Sequence, residues 1–383
     1  AAAIHPLLAS ADFAGISLPT VDSVTSSTSW DDNAQAAWDK FVADTVEMYA
    51  SEGIQADCMP KQWKADDGVA YKGTIMLLHG FTACPQQYFE THAHLTALGY
   101  NVLAPLLPGH GLEFKWVPVY ENAGPWWNPW SVKKLSTWKG EDKVDRLARD
   151  NNEFKAYVDR LNAVMKEVPG DRIVTGLSLG GAVAMLTGAT YVDSTNSPLY
   201  TRQLISVPLM DFSDSILSGI LYAASRFTWT SNILQGWGDG CEVERRAGRA
   251  GICAFRMGQV YQAKEIGAET LALLKATDKT STFTQIVYVE GDLAVSNPLV
   301  RDLYDTYSGS KSKCVMDKAV GHSFMSRYDN PTENKYWLYE AHQRVASWLA
   351  QAVGSWDTRI PSTPTTGVFD ADGFIVQDGV NAN

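Results

Sequence analysis

The stretch that decides the fold runs Arg172-Ile-Val-Thr175, then Gly176-Leu-Ser178-Leu-Gly180-Gly181, then the small-residue segment 182–189. Its first four residues read as a strand buried on both faces, and its last eight as a helix. Between them stands the pattern G-x-S-x-G. A chain that turns from strand to helix in so few residues strains its central residue and lifts the serine hydroxyl off the sheet edge. Glycine at 176 and 180 removes the Cβ atoms that would meet adjoining backbone. The amides and positive dipole end of the following helix stand where negative charge would develop on an attacked carbonyl oxygen. Ser178 is therefore the candidate nucleophile, with a structural Gly-rich turn as the plainer alternative.

The pattern continues on both sides. Toward the N-terminus, Gly73-Thr-Ile-Met-Leu-Leu78 is a continuous apolar run, residues 92–98 are helical and Gly99 stops them. Asn101-Val-Leu-Ala-Pro105 is a further strand. Residues 153–168 form a helix with Phe154, Tyr157, Leu161, Val164 and Met165 on one face. Toward the C-terminus, strands are expected at 203–207, 285–289 and 313–316. Strands alternating with helices predict an α/β fold with a mostly parallel central sheet flanked by helices.

Other stretches of the chain do not fit this alternation. Residues 1–70 read as an N-terminal extension holding an amphipathic helix over 33–53, capped by Asp31, Asp32 or Asn33 and ended by Gly53. Its stripe is Ala37, Trp38, Phe41, Val42, Thr45, Val46 and Tyr49. The core is expected over 71–207 and 281–353. Residues 208–280 contain no clear strand and are too long for a loop, so they read as a helical cap insertion, with helices at 216–226 and 260–274. Leu217 and Leu221, at helical spacing, are candidates for lining a substrate entrance. Trp126 and Trp127, in a Trp cluster between Trp116 and Trp138, are the rival wall. Core packing is the alternative for both groups. Residues 354–383 read as a loop-rich tail.

The rest of the chemistry follows from what a serine nucleophile needs. Two amides must face the oxyanion: one from Leu179, after the nucleophile, and one from the loop after an earlier strand. In His79-Gly80-Phe81-Thr82 that second donor is Phe81. His79 ends a strand and is expected to organise this loop by hydrogen bonding rather than to act as base. Only His322 and His342 follow Ser178 in the chain. His322, in Val320-Gly-His-Ser323 past the last strand, is the candidate base, whereas His342 falls within a helical stretch. Asp292, after the strand at 285–289, is the candidate acid that would fix the imidazole tautomer. Glu290 is its nearest rival; Asp302, Asp305 and Asp317 are more remote ones.

Several function classes lose support. A formal charge of −11, with no dense basic run, disfavours nucleic-acid binding. No apolar run is long enough to cross a bilayer. No nucleotide-binding glycine motif occurs, so no cofactor is expected. His92 and His94 are two apart on a helix and point to different faces. Asp370-Ala-Asp372-Gly lacks a calcium loop's register and reads as a turn between two short strands. No metal is expected. Of five cysteines, Cys241 and Cys253 have a spacing that suits a disulfide, but sequence does not fix pairing. Ala1-Ala2-Ala3 shows no signal-peptide pattern, and small residues also precede signal cleavage sites. Compartment and oligomeric state stay open.

The motifs together resemble the α/β-hydrolase superfamily, and within it bacterial carboxylesterases and monoacylglycerol lipases. The resemblance rests on Leu78-His-Gly-Phe-Thr82 with Pro85-Gln86, Leu95-Thr-Ala-Leu-Gly-Tyr100, Leu107-Pro-Gly-His-Gly111 and the elbow Gly-Leu-Ser-Leu-Gly-Gly. It covers residues 73–189 well and 285–348 by pattern, but not the first seventy residues, the cap or the tail. It implies an α/β-hydrolase fold with Ser178, Asp292 and His322 as triad, Phe81 and Leu179 as oxyanion amides, and a small-molecule or lipid-like ester as substrate. The same triad also serves acyl transfer and cleavage of carbon–carbon or amide bonds. A non-catalytic binding protein can stand on this fold as well.

Overall fold

The computed structural model describes residues 29–113, 151–190, 198–213, 234–236, 248–252, 254–276, 282–316, 321–329, 342, 345, 368–369 and 375–377. The apolar runs marked by the sequence become strands of one seven-stranded sheet. In chain order the strands of this sheet are β1 (Lys61–Trp63), β2 (Gly73–Leu78), β3 (Tyr100–Ala104), β4 (Asp171–Leu177), β5 (Arg202–Ser206), β8 (Phe283–Val289) and β9 (Lys311–Met316). The spatial order is β1-β3-β2-β4-β5-β8-β9. All neighbours pair in parallel except β1, which runs antiparallel to β3. All six residues of β2 and all five of β3 and β5 are buried, as strands covered on both faces must be. This is the expected α/β-hydrolase fold: a mostly parallel sheet flanked by helices.

Because β2, β4, β8 and β9 run in parallel, the loops after Leu78, Leu177, Val289 and Met316 emerge at one sheet edge. The candidate oxyanion loop, nucleophile, acid and base follow those four strand ends. Strand order alone therefore gathers them.

The N-terminal extension is less separate than its lack of pattern suggests. Helix α1 (Asp32–Met48) starts where Asp31 accepts a hydrogen bond from the Ala34 amide at 2.9 Å. It buries Ala34, Trp38, Phe41 and Thr45, while Val46, expected on the stripe, is exposed. Trp38 and Phe41 belong to the main core. Phe41 meets Tyr157 of α3 (Asn151–Glu167), the helix that follows the short α2 (Thr91–Thr96), edge-on, with centroids 6.0 Å apart. β1 adds the antiparallel edge strand that sequence reading missed. Three residues are too few to show alternation, and a short edge carrying a lysine also resists pairing with another chain.

The segment read as a cap also divides. β6 (Leu234–Gly236) and β7 (Ala254–Arg256) form a short antiparallel pair, where no strand was expected. α5 (Met257–Ala276) then packs along α4 (Leu179–Thr190), the helix that follows Ser178. Ala263, Ile266 and Leu274 enter the main core, and Thr270 Oγ1 donates to the Ala182 carbonyl at 3.4 Å. Residues 257–276 thus flank the sheet. The physical reason is that β5 and β8 are adjacent and parallel, so the chain between them must cross over, and a helix against the sheet does so. Residues 214–233, with Leu217 and Leu221, lie outside the described residues, as do Trp126 and Trp127.

Among the described residues, one disulfide, Cys58–Cys84, joins the segment before β1 to the loop after β2, with Cα atoms 5.1 Å apart. Cys241 and Cys253 lie outside the described residues. Two short strands, β10 (Val368–Phe369) and β11 (Ile375–Gln377), pair antiparallel; Asp370 and Asp372 lie outside the described residues. Among the described residues, no helix is long and apolar enough to cross a membrane.

Candidate active site

The serine turn is fixed by main chain. Ser178 has φ of 56°, a left-handed conformation that a residue with a side chain adopts only when its surroundings force it. The forcing is visible at two glycines. A Cβ on Gly176 would lie 2.1 Å from the Gly180 carbonyl oxygen, and one on Gly180 would lie 2.0 Å from that of Leu78. β4 and α4 can therefore meet only if both positions lack a side chain. The Ser178 amide donates to Ser206 O at 2.9 Å, and its carbonyl accepts from Leu209 N at 3.0 Å and Ala182 N at 3.1 Å. These bonds tie the turn to the exit of β5 and to the first turn of α4.

The loop after β2 is fixed mainly by side chains. The Leu107 amide donates to His79 Nε2 at 3.0 Å, so that nitrogen carries no proton. Nδ1 then holds the hydrogen and donates to the Gly80 carbonyl at 3.0 Å. The Ala83 amide donates to the same oxygen at 3.2 Å. Gly80 C=O and Phe81 N–H share one planar peptide unit, so anchoring the oxygen aims the amide the opposite way. Burial, with His110 close by, holds His79 well below the usual imidazole range. It stays neutral, as this bonding requires. The sequence expectation that His79 organises the loop agrees with this arrangement.

The acid and base candidates meet. His322 Nδ1 lies 2.7 Å from Asp292 Oδ2. The Asp292 side chain is fully buried and that of His322 is 22% exposed, leaving the ring a face toward solvent. Asp292 Oδ1 accepts from the amides of Ala294 at 2.7 Å and Val295 at 3.2 Å. Burial alone would raise this carboxyl. The hydrogen bond and charge of His322, with the two amides, outweigh it and hold Asp292 below the usual carboxylate range. A carboxylate at Nδ1 places the ring hydrogen there and leaves Nε2 as the acceptor. The rival acids do not take this place. Asp302 pairs with Lys275 at 2.7 Å, and Asp317 lies outside the described residues. Glu290 and Asp305 are not on the ring. His342 is buried elsewhere, its ring 6.3 Å from that of His94.

Phe81 and Leu179, the two candidate oxyanion residues, line one recess together with His110, Phe154, Gln259 and Ala263. Part of this wall comes from α5, which sequence reading had assigned to a cap. His110 donates from Nδ1 to Pro108 O at 2.8 Å, and burial pushes its pKa down to about 4. Among the described residues, no group of His, Cys, Asp and Glu could hold a metal ion. His92 stacks on Trp63, with centroids 4.2 Å apart.

Three side chains at the site escaped the sequence reading: Gln87, Arg249 and Asp329. Gln87 Oε1 accepts from the Gly80 amide at 2.8 Å, and Asp329 pairs with Arg249 at 3.0 Å. Gln87 stands directly beyond the Pro85-Gln86 motif and could have been flagged. No local pattern marks the other two.

Solved structures similar to this chain include a metagenome-derived lipolytic enzyme from a study of LipS and LipT. It is 16% identical, covering 77% of this chain and 98% of that one, with a TM-score of 0.49. The monoacylglycerol lipase of Paleococcus ferrophilus is 14% identical, covering 77% and 98%, with a TM-score of 0.49. A soluble variant of monoglyceride lipase from Saccharomyces cerevisiae is 15% identical, covering 76% and 90%, with a TM-score of 0.49. No curated protein matches the sequence. The model of the alpha/beta hydrolase family matches residues 75–334, a stretch that starts within β2 and ends beyond His322, and the chain belongs to that family.

Proposed function

We propose that this chain is a serine carboxylic ester hydrolase, esterase- or lipase-like, working through an acyl-enzyme on Ser178. The observation that carries the reading is the part-buried Asp292–His322 pair at the sheet edge where the strained Ser178 turn also emerges. Ser178 Oγ attacks the ester carbonyl while His322 Nε2 takes the hydroxyl proton. Asp292 stabilises the imidazolium that forms. Negative charge on the carbonyl oxygen is met by the amides of Phe81 and Leu179. The imidazolium then gives its proton to the departing alkoxide, and water attacks the acyl-enzyme by the same steps in reverse.

The recess beside Phe81 and Leu179 supports a small-molecule or lipid-like ester as substrate, and no cofactor enters the scheme. The Cys58–Cys84 bond supports an oxidising compartment, since disulfides persist there and are rare in reducing ones. A chain-length series of p-nitrophenyl esters, run on wild type and Ser178→Ala in parallel, tests the proposal. Turnover by wild type alone, with fluorophosphonate labelling that Ser178→Ala loses, is the expected result. Equal turnover by both proteins would remove Ser178 from the chemistry.

A further inference from the structure

One buried carboxylate outside the proposed triad touches what holds the oxyanion loop. Asp329 lies on the chain segment that continues from His322. Its Oδ1 accepts from Arg249 Nε at 3.0 Å and its Oδ2 from Gln87 Nε2 at 2.7 Å. The side chains of Arg249 and Asp329 are only 7% and 8% exposed. From there both partners reach the loop. Gln87 Oε1 accepts from Gly80 N at 2.8 Å, and an Arg249 guanidinium nitrogen donates to Thr82 Oγ1 at 3.3 Å. The two contacts bracket Phe81, one residue before it and one after. Thr82 itself has φ of 64°, a strained value that needs outside support.

We propose that Asp329 is a positioning residue: through Gln87 and Arg249 it holds the Gly80–Thr82 backbone so that the Phe81 amide meets the developing oxyanion. The inference rests on the ester-hydrolase reading of the site and names a residue that reading does not need. The argument is one of conformational freedom. Gly80 lacks a Cβ, so its own φ and ψ restrain the next peptide little. A hydrogen bond at its N–H therefore supplies a restraint that its backbone lacks. Gln87 can supply it only if its amide is oriented, oxygen toward Gly80 and nitrogen away. Asp329, acceptor-only when ionised, imposes that orientation by accepting from the nitrogen. Arg249 offsets the cost of burying the carboxylate. A buried ion pair of this kind is a poor source of net stability, which leaves geometry as its more natural use. The same carboxylate joins the chain beyond His322 to the loop that carries Phe81.

The test separates aiming from mere support. In a thionoester, sulfur replaces the carbonyl oxygen and accepts amide hydrogen bonds weakly. The ratio of kcat on an ester to kcat on its thiono counterpart thus reports what the oxyanion amides contribute. For Asp329→Asn we expect ester kcat to fall roughly ten- to a hundredfold, below the 10²–10³ typical of deleting such a donor outright. KM should stay within about twofold, and thionoester kcat should change much less, so the ratio drops. Gln87→Met, which keeps chain length and removes both hydrogen bonds, should lower the ratio in the same way and serves if the first variant does not fold. A parallel loss on both substrates, or a change confined to KM, overturns the inference while the esterase reading stands. If wild type neither turns over the ester nor reacts with a fluorophosphonate at Ser178, the esterase reading fails and the inference falls with it.

Discussion

In the proposed mechanism the turn at Ser178 and the loop at Phe81 each present a group to the same oxyanion, yet they are held in different ways. The turn is held by backbone against backbone: two glycines leave no room for a Cβ, and hydrogen bonds run from Ser178 to Ser206, Leu209 and Ala182. The loop is held mainly by side chains, His79 within it and Gln87, Arg249 and Asp329 beyond it, alongside main-chain bonds from Ala83 to Gly80 and from Ile252 to Thr82. Backbone packing is nearly all-or-none, because a carbonyl 2 Å from a new Cβ cannot be accommodated by rotating a bond. Side-chain clamps fail by degrees. The difference predicts steep effects around Ser178 and graded ones around Phe81.

The largest effects should come from the groups that handle the reaction's bonds and protons. Ser178→Ala and His322→Ala should each lower ester kcat by roughly 10⁴-fold or more, and the double variant should lose little beyond either one. Steady-state kinetics on the three proteins checks this; losses that multiply would show that the two do not work as a unit. Asp292→Asn should cost about 10⁴-fold, because an amide at Nδ1 can hold the wrong tautomer. Were Glu290→Gln the more damaging of the two, the acid would have been assigned to the wrong carboxylate.

Next in size is a stability effect that bears directly on the contrast. Gly180→Ala places a Cβ about 2.0 Å from Leu78 O and should destabilise the protein by about 3 kcal/mol or more, as forced overpacking against backbone does. Denaturant unfolding would show it. Gln87→Met, on the loop side, should leave the unfolding midpoint closer to wild type than Gly180→Ala does. If the order were reversed, the distinction between a backbone-held turn and a side-chain-held loop would be gone.

The same distinction explains what the sequence could reveal. A backbone constraint needs particular residues at nearby positions, so Gly176, Ser178 and Gly180 form a readable motif, and β2 to β5 follow from short runs rich in apolar residues. That Asp292 and His322 meet was readable as well, because each follows a strand whose end the sheet places at the same edge. Arg249 and Asp329 were not. They lie 80 residues apart and meet only in three dimensions, with no local spacing to betray them. Cys58 and Cys84 show the same limit, since five cysteines leave pairing undetermined. Residues 260–274 read as a helix, but as one belonging to a cap, whereas the helix observed over 257–276 flanks the sheet. Its periodicity records that it has a buried face, not what that face is buried against.

The smallest effect expected distinguishes the two regions by pH. The loop side contains two buried imidazoles, His79 and His110, whereas the residues of the serine turn carry no group that titrates near neutrality. Burial pushes His110 from an ordinary value near 6.5 down to about 4. The unfolded chain therefore binds a proton at this residue between about pH 6.5 and 4 that the folded chain refuses. Stability contributed by the neutral form is fully present above 6.5 and is lost as pH falls through that window. With about 1.4 kcal/mol per pH unit for each such group, His110 alone should account for about 2 kcal/mol between pH 6.5 and 5. Protonation at Nε2 would bury a charge that no acceptor among the described residues could meet. His110→Asn keeps a donor toward Pro108 O and removes the titration. Its melting temperature should fall less steeply than that of wild type between pH 7 and 5. His342, pushed down to about 3 by burial and the neighbouring His94, offers a control away from the loop, and His342→Asn should flatten the curve by a similar amount. If the His110→Asn curve ran parallel to wild type while the His342→Asn curve flattened, His110 would not be the neutral, acid-sensitive element of the loop side.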